Sequence, residues 1–132
     1  MKKLYFLTLI LLSAGYSFGQ VLINEFEPNP VGTDPANVSF EIKGPPSTSF
    51  SGYVLGLESD ASGPVGTVDR ATMVSGSFDT NGLLVVSVPD FENPSFTVVL
   101  SDSFTGALND DLDTNDDGIL DVTPWTAVYD AI

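Results

Sequence analysis

The sequence predicts an all-β fold, a single small antiparallel sandwich or barrel. Three observations carry this. Short runs rich in β-branched and aromatic residues recur along most of the chain, and turn signals built from Pro, Gly, Asn and Asp separate them. Beyond the N-terminal segment, no window shows the 3.6-residue apolar repeat of an amphipathic helix.

The first predicted strand, Val21 to Phe26, ends at Glu27-Pro28-Asn29-Pro30, because proline lacks the amide a sheet ladder requires. Ser39 to Lys43 is a second, stopped by Gly44-Pro45-Pro46. Tyr53 to Glu58 alternates only loosely and is a third, and Val65 to Met73, carrying Arg70, is a weaker fourth. The turn signal Asn81-Gly82 immediately precedes Leu83 to Val88, whose β-branched content predicts a central strand. Phe96 to Leu100 follows Asn93-Pro94, and Ala127 to Ile132 is the last candidate. The chain stops within that strand-like run, so a domain truncated at its C-terminal end is the expectation.

Residues 1–19 have the three parts of a cleavable signal peptide. Lys2 and Lys3 give a positive start, Leu4 to Leu12 an apolar run, and Ser17 and Gly19 the small residues before a cut at Gln20. The apolar run falls short of the roughly 18 residues of a spanning helix, so no membrane span is expected. The expected location is outside the cytoplasm, secreted or at the cell surface, with residues 20–132 forming one domain.

Those residues keep all 18 acidic side chains against Lys43 and Arg70, a formal charge of 2 − 18 = −16. Such a surface repels nucleic acid, so no direct nucleic-acid binding is expected. There is no cysteine and no histidine. That removes disulfides, Ser-His and Cys-His pairs, and the usual zinc ligands. No glycine-rich phosphate loop opens a helix. This segment is therefore not expected to be an enzyme.

The sharpest local pattern is Asp113-Thr114-Asn115-Asp116-Asp117-Gly118-Ile119-Leu120-Asp121. Asp113, Asn115 and Asp117 stand at positions 1, 3 and 5 of a calcium loop, with Gly118 at the sharp turn. Ile119 can offer its carbonyl at position 7, and Asp121 stands at 9. Position 12 departs from the pattern, being Pro124 where a bidentate Glu is expected, so Asp110, Asp111 or Asp130 would have to help complete the shell. A solvated acidic turn has the same composition. Yet so many carboxylates in one segment repel unless a cation neutralises them, and calcium is the cofactor carried forward.

Asn24, Glu25, Glu27 and Glu41 form a second acidic group, with Glu25 and Glu27 on one face by period two. Paired carboxylates can cleave glycosides, but at strand ends they more often cap backbone or face water. Phe26, Phe40 and Phe96 read as core. Trp125 reads as packing over an end of the sandwich, with sugar stacking on Trp125 or Tyr53 as a weaker reading. Asn37-Val38-Ser39 matches a glycosylation acceptor.

Val21 to Pro30, then Phe40-Glu41-Ile42, then Ser51-Gly52-Tyr53-Val54-Leu55, follow in an order that resembles the lamin tail domain of bacterial secreted proteins. The strand Leu83 to Val88 and the loop Asp113 to Asp121 before Trp125 are similar as well, so the resemblance spans about residues 21 to 132. It implies an immunoglobulin-like β-sandwich used as a non-catalytic module, of a kind often placed before secreted hydrolases or beside sorting domains. Asn37-Val38-Ser39 departs from it where an acidic residue commonly stands, and the chain ends before the final strand expected there. The functional expectation is a secreted accessory or binding module for an extracellular ligand, protein or glycan. The alternative is the N-terminal fragment of a nuclease- or phosphatase-type hydrolase whose catalytic domain lies beyond residue 132.

Overall fold

A computed structural model describes residues 20–28, 32–59, 63–91 and 95–132. The expected export signal and the pairs Asn29-Pro30 and Asn93-Pro94 lie outside the described residues. Seven strands form among the described residues: β1 (Leu22–Phe26), β2 (Asn37–Lys43), β3 (Ser49–Glu58), β4 (Val68–Ser77), β5 (Leu83–Pro89), β6 (Phe96–Ser101) and β7 (Val128–Ala131). No helix occurs among the described residues, and so none long and apolar enough to cross a membrane. All strand pairs are antiparallel, in one sheet of order β1-β2-β5 and another of order β4-β3-β6-β7. The all-β expectation holds.

The two sheets share one core. Val38, Phe40 and Ile42 of β2 and Val88 of β5 meet Phe50 and Val54 of β3, Val74 of β4, and Val98 and Leu100 of β6. Alternation along each strand selects these residues: Phe40 and Ile42 are buried, while Ser39 and Lys43 between and beside them are exposed. Each fully buried apolar side chain contributes about 1.5–3 kcal/mol relative to exposure. Aromatic rings fill both ends of the interface. Phe26 stacks on Phe40 and Phe91 on Phe96, with centroids 5.3 and 5.0 Å apart. Toward the start of β3, Phe50 lies 5.7 Å from both Phe78 and Tyr129.

Three findings differ from the sequence expectations or go beyond them. First, β5 lies at an edge of its sheet and not at the centre, with Val85 60% exposed. Its apolar composition reflects the inner face, where Leu84, Val86 and Val88 pack on the core. Second, the Asn81-Gly82 turn, expected immediately before this strand, joins the two sheets. It carries the chain from β4 in the larger sheet to β5 in the smaller one. Asp79 organises it, its carboxylate accepting the amides of Asn81 and Leu83 at 2.7 and 2.9 Å.

Third, the larger sheet is covered on both faces. Val54, Leu55, Gly56 and Leu57 are all buried in succession, which is why this strand alternates so loosely. Leu55, Leu57, Val68 and Val99 point away from the main core and pack with Leu112 into a second cluster, bordered by Phe104, Leu120 and Trp125. The cover is the long connection between β6 and β7, residues 102–127. Trp125 therefore packs on the outer face of this sheet and not over an end of the sandwich.

Candidate functional site

Asp102 and its neighbours hold both ends of the covering connection together. Its carboxylate accepts the amides of Ala127 and Thr126 at 2.8 and 3.1 Å and the Ser103 hydroxyl at 2.9 Å. The backbone hydrogen bond from Ala127 is the main reason its carboxyl is held below 3.8. Farther on, the chain adds itself to the start of β4. Val68 N–H donates to the Asp110 carbonyl at 2.9 Å, Asn109 N–H to the Val68 carbonyl at 2.8 Å, and Thr67 bridges to Asp111. This pairing delivers Leu112 to the second cluster and Asp113 to the space beside it.

Asp113 is 1% exposed. Its Oδ1 accepts the amide of Asp117 at 3.2 Å and its Oδ2 that of Gly118 at 2.7 Å. The chain thus wraps round this carboxylate, as positions 5 and 6 of a cation loop wrap round position 1. The wrap needs left-handed backbone at Asp116 (φ 55°) and Gly118 (φ 82°). A Cβ on Gly118 would meet nothing within 4 Å, so glycine serves there for its backbone freedom. Gly66 differs: with φ 84° it is also pressed on the loop, where a Cβ would lie 2.9 Å from the Asp113 Cβ.

The remaining expected ligands lie on the same turn. Asn115 Oδ1 accepts the Asp117 amide at 2.9 Å, and Asp117 Oδ1 the Ile119 amide at 2.9 Å. Asp121 Oδ2 accepts the amide and hydroxyl of Thr114 at 3.0 and 2.6 Å, closing the loop on itself. Asp116 reaches across to accept the Val65 amide at 3.1 Å, tying the loop to the segment before β4. Among the described residues, no three His, Cys, Asp or Glu side chains stand close enough together to hold a metal ion. Any shell here would draw on Asn115 and the Ile119 carbonyl as well as on the carboxylates. Pro124, at position 12, is buried, and its carbonyl accepts the Thr105 amide at 2.8 Å. Asp110, named as a possible extra ligand, accepts the Ala107 amide at 2.7 Å; Asp111 accepts the Asp113 amide at 3.1 Å; and Asp130 accepts the Ile23 amide at 2.9 Å.

The second acidic group comes together on the outside of the smaller sheet. Glu25 stands opposite Glu41 in the β1–β2 register, next to a bulge at Asn24, and the Asn24 amide donates to Glu41. Glu25, Glu27 and Glu41 line a broad cleft of about 450 Å³ with Ser39 and Val85. Asn37 is exposed at the start of β2. Arg70 lies between neighbouring acids, its Nη1 2.8 Å from Asp69 Oδ2 and its Nε donating to the Asp90 carbonyl at 2.9 Å.

Sequence reasoning missed three positions here: Asp102, Asp116 and Gly66. Asp102 accepts amides 24 and 25 positions away, so its clamp leaves no local signal. Gly66 and Asp116 matter through contacts between two distant segments, Val65 and Asp116 being 51 positions apart, and no local pattern reports such a contact. In comparisons with known proteins, no family model, no curated protein and no solved structure matches this chain.

Proposed function

We propose that the chain is a secreted, non-catalytic β-sandwich module of the lamin-tail type, steadied by one structural calcium at Asp113 to Asp121. The observation that carries the metal reading is Asp113, a carboxylate almost wholly removed from solvent and wrapped by the amides of Asp117 and Gly118. Burying a charge is expensive unless it is paired or coordinates a metal. Asp111, Asp116, Asp117 and Asp121 lie within eight positions of Asp113 and add repulsion. Asp113, Asn115, Asp117, Asp121 and the Ile119 carbonyl would hold the ion, which suits a hard cation that prefers oxygen.

The strand order, β1-β2-β5 facing β4-β3-β6-β7, supports an immunoglobulin-like reading, because seven antiparallel strands divide three and four between two sheets. A module of this kind presents loops and sheet faces to a partner. Export supports weak metal affinity, since extracellular calcium sites work at about 10⁻⁴–10⁻³ M.

Calorimetric titration of residues 20–132 with calcium tests the metal reading. One ion per chain is expected, with a dissociation constant in that weak range. Asp113→Ala abolishes the heat, while Glu41→Gln on the other sheet leaves it unchanged. No calcium heat at millimolar concentration would sink the claim.

A further inference from the structure

A cleft of about 320 Å³ lies on the outer face of the larger sheet, between β3, β6 and β7 and the Asp113 loop. Leu57, Val99, Leu120, Trp125 and Val128 give it mainly apolar walls, and Trp125 is only half-buried there. Val128 is 45% exposed, so one wall opens to solvent. The charges at the cleft share one sign. Glu58 lines it at the border; Asp113 lines it too, but is 1% exposed with both oxygens accepting amides, and Asp116 is bonded to the Val65 amide. Lys43 and Arg70, the two cations in residues 20–132, do not line it. Calcium at the loop would answer Asp113 but has no apolar surface for the remaining walls.

We propose that this cleft receives the side chain of an arginine, or less tightly a lysine, presented by a basic partner polypeptide. Apolar walls with a carboxylate at the border, Glu58, match a side chain that joins an aliphatic stem to a cationic head. Arginine fits better than lysine because its planar guanidinium stacks on an indole and meets a carboxylate with two parallel hydrogen bonds. Charge complementarity selects the partner as a whole: the formal charge of −16 over residues 20–132 steers basic polypeptides toward this module and repels acidic ones. The ligand class rests on the reading of the chain as a binding module, and the cleft itself does not require calcium.

The test uses residues 20–132 and the blocked tripeptide acetyl-Gly-Arg-Gly-amide, with fluorescence of the single tryptophan as readout. The citrulline counterpart, which keeps the shape without the charge, is the control. Saturable quenching by the arginine peptide is expected, with binding about tenfold weaker for citrulline and about tenfold weaker after Glu58→Gln, the loss of one charge-assisted contact. Glu41→Gln, which removes an equal charge from the outer face of the other sheet, leaves binding unchanged. Val128→Arg places the same side chain at the cleft's open wall and blocks the peptide, a second check should Glu58→Gln disturb folding. No saturable response, equal binding of citrulline, equal loss in Glu41→Gln, or a response to glucose oligomers in place of arginine would each overturn the proposal. Parallel calcium titration separates the two readings: calcium binding without peptide binding removes only the cleft assignment, and the reverse removes only the metal.

Discussion

Asp102 and Asp79 do similar work at distant turns, each using one carboxylate to gather two backbone amides. Both carboxyls are held below 3.8, Asp102 chiefly by the Ala127 amide and Asp79 chiefly by the Leu83 amide. A folded-state value below the unfolded one means that the ionised form favours folding. The contribution is complete above the unfolded value, near pH 4, and is lost as pH falls through the folded value. Both groups are solvent-accessible, so the effect is one of direction, screened by water and salt. We expect the urea midpoint of the wild type to exceed that of Asp102→Asn at about pH 6, and the gap to shrink as pH falls below about 4 and through the lower folded-state value. A gap of constant size across that range would show that Asp102 acts through its shape and not through its charge.

At the scale of elements, the unusual part of this fold is the connection of residues 102–127, which has little regular structure yet builds a second core. Leu112 is its anchor: 1% exposed and set among Leu55, Leu57, Val68 and Val99. Leu112→Ala removes most of that packing and is expected to cost about 2–5 kcal/mol, the range for a buried leucine left over a partly collapsed cavity. Because Trp125 borders the same cluster, its emission should also shift to the red in the native state. Loss of stability with unchanged emission would mean that the connection packs independently of Trp125. Much of this element could not be read in advance. The strands were legible because Phe40, Ile42 and their exposed neighbours follow a period of two. The aspartate spacing marked the loop for the same local reason, since Asp113, Asn115, Asp117 and Gly118 act on one another within a single turn. Leu112 and Trp125 carry no period. Their partners on β3, β4 and β6 lie far away in sequence, and burial of both faces erases the alternation that would have revealed the covered sheet. The edge position of β5 was hidden similarly, because Val85 looks like a core residue until its strand is seen to have one neighbour.

At the scale of the whole molecule, residues 20–132 hold 18 acidic side chains against two basic ones and have no disulfide to oppose their repulsion. Any salt will relieve part of that repulsion by screening over about 10 Å at 0.1 M. A bound divalent ion acts differently, stabilising the folded state alone by mass action. The two effects separate when about 10 mM calcium chloride is compared with sodium chloride at equal ionic strength. For a dissociation constant between about 0.1 and 1 mM, the calcium excess is worth about 1.4–2.7 kcal/mol. That corresponds to roughly 6–11 °C in Tm at about 4 °C per kcal/mol for a domain of this size. Magnesium should give much less, because it demands a near-octahedral shell and gives up its water reluctantly. The Asp113→Ala variant should respond to calcium and sodium alike, leaving only the screening part. Equal shifts from calcium and sodium in the wild type would reduce the aspartate loop to a charged turn, held by its own amides with no ion in its structure.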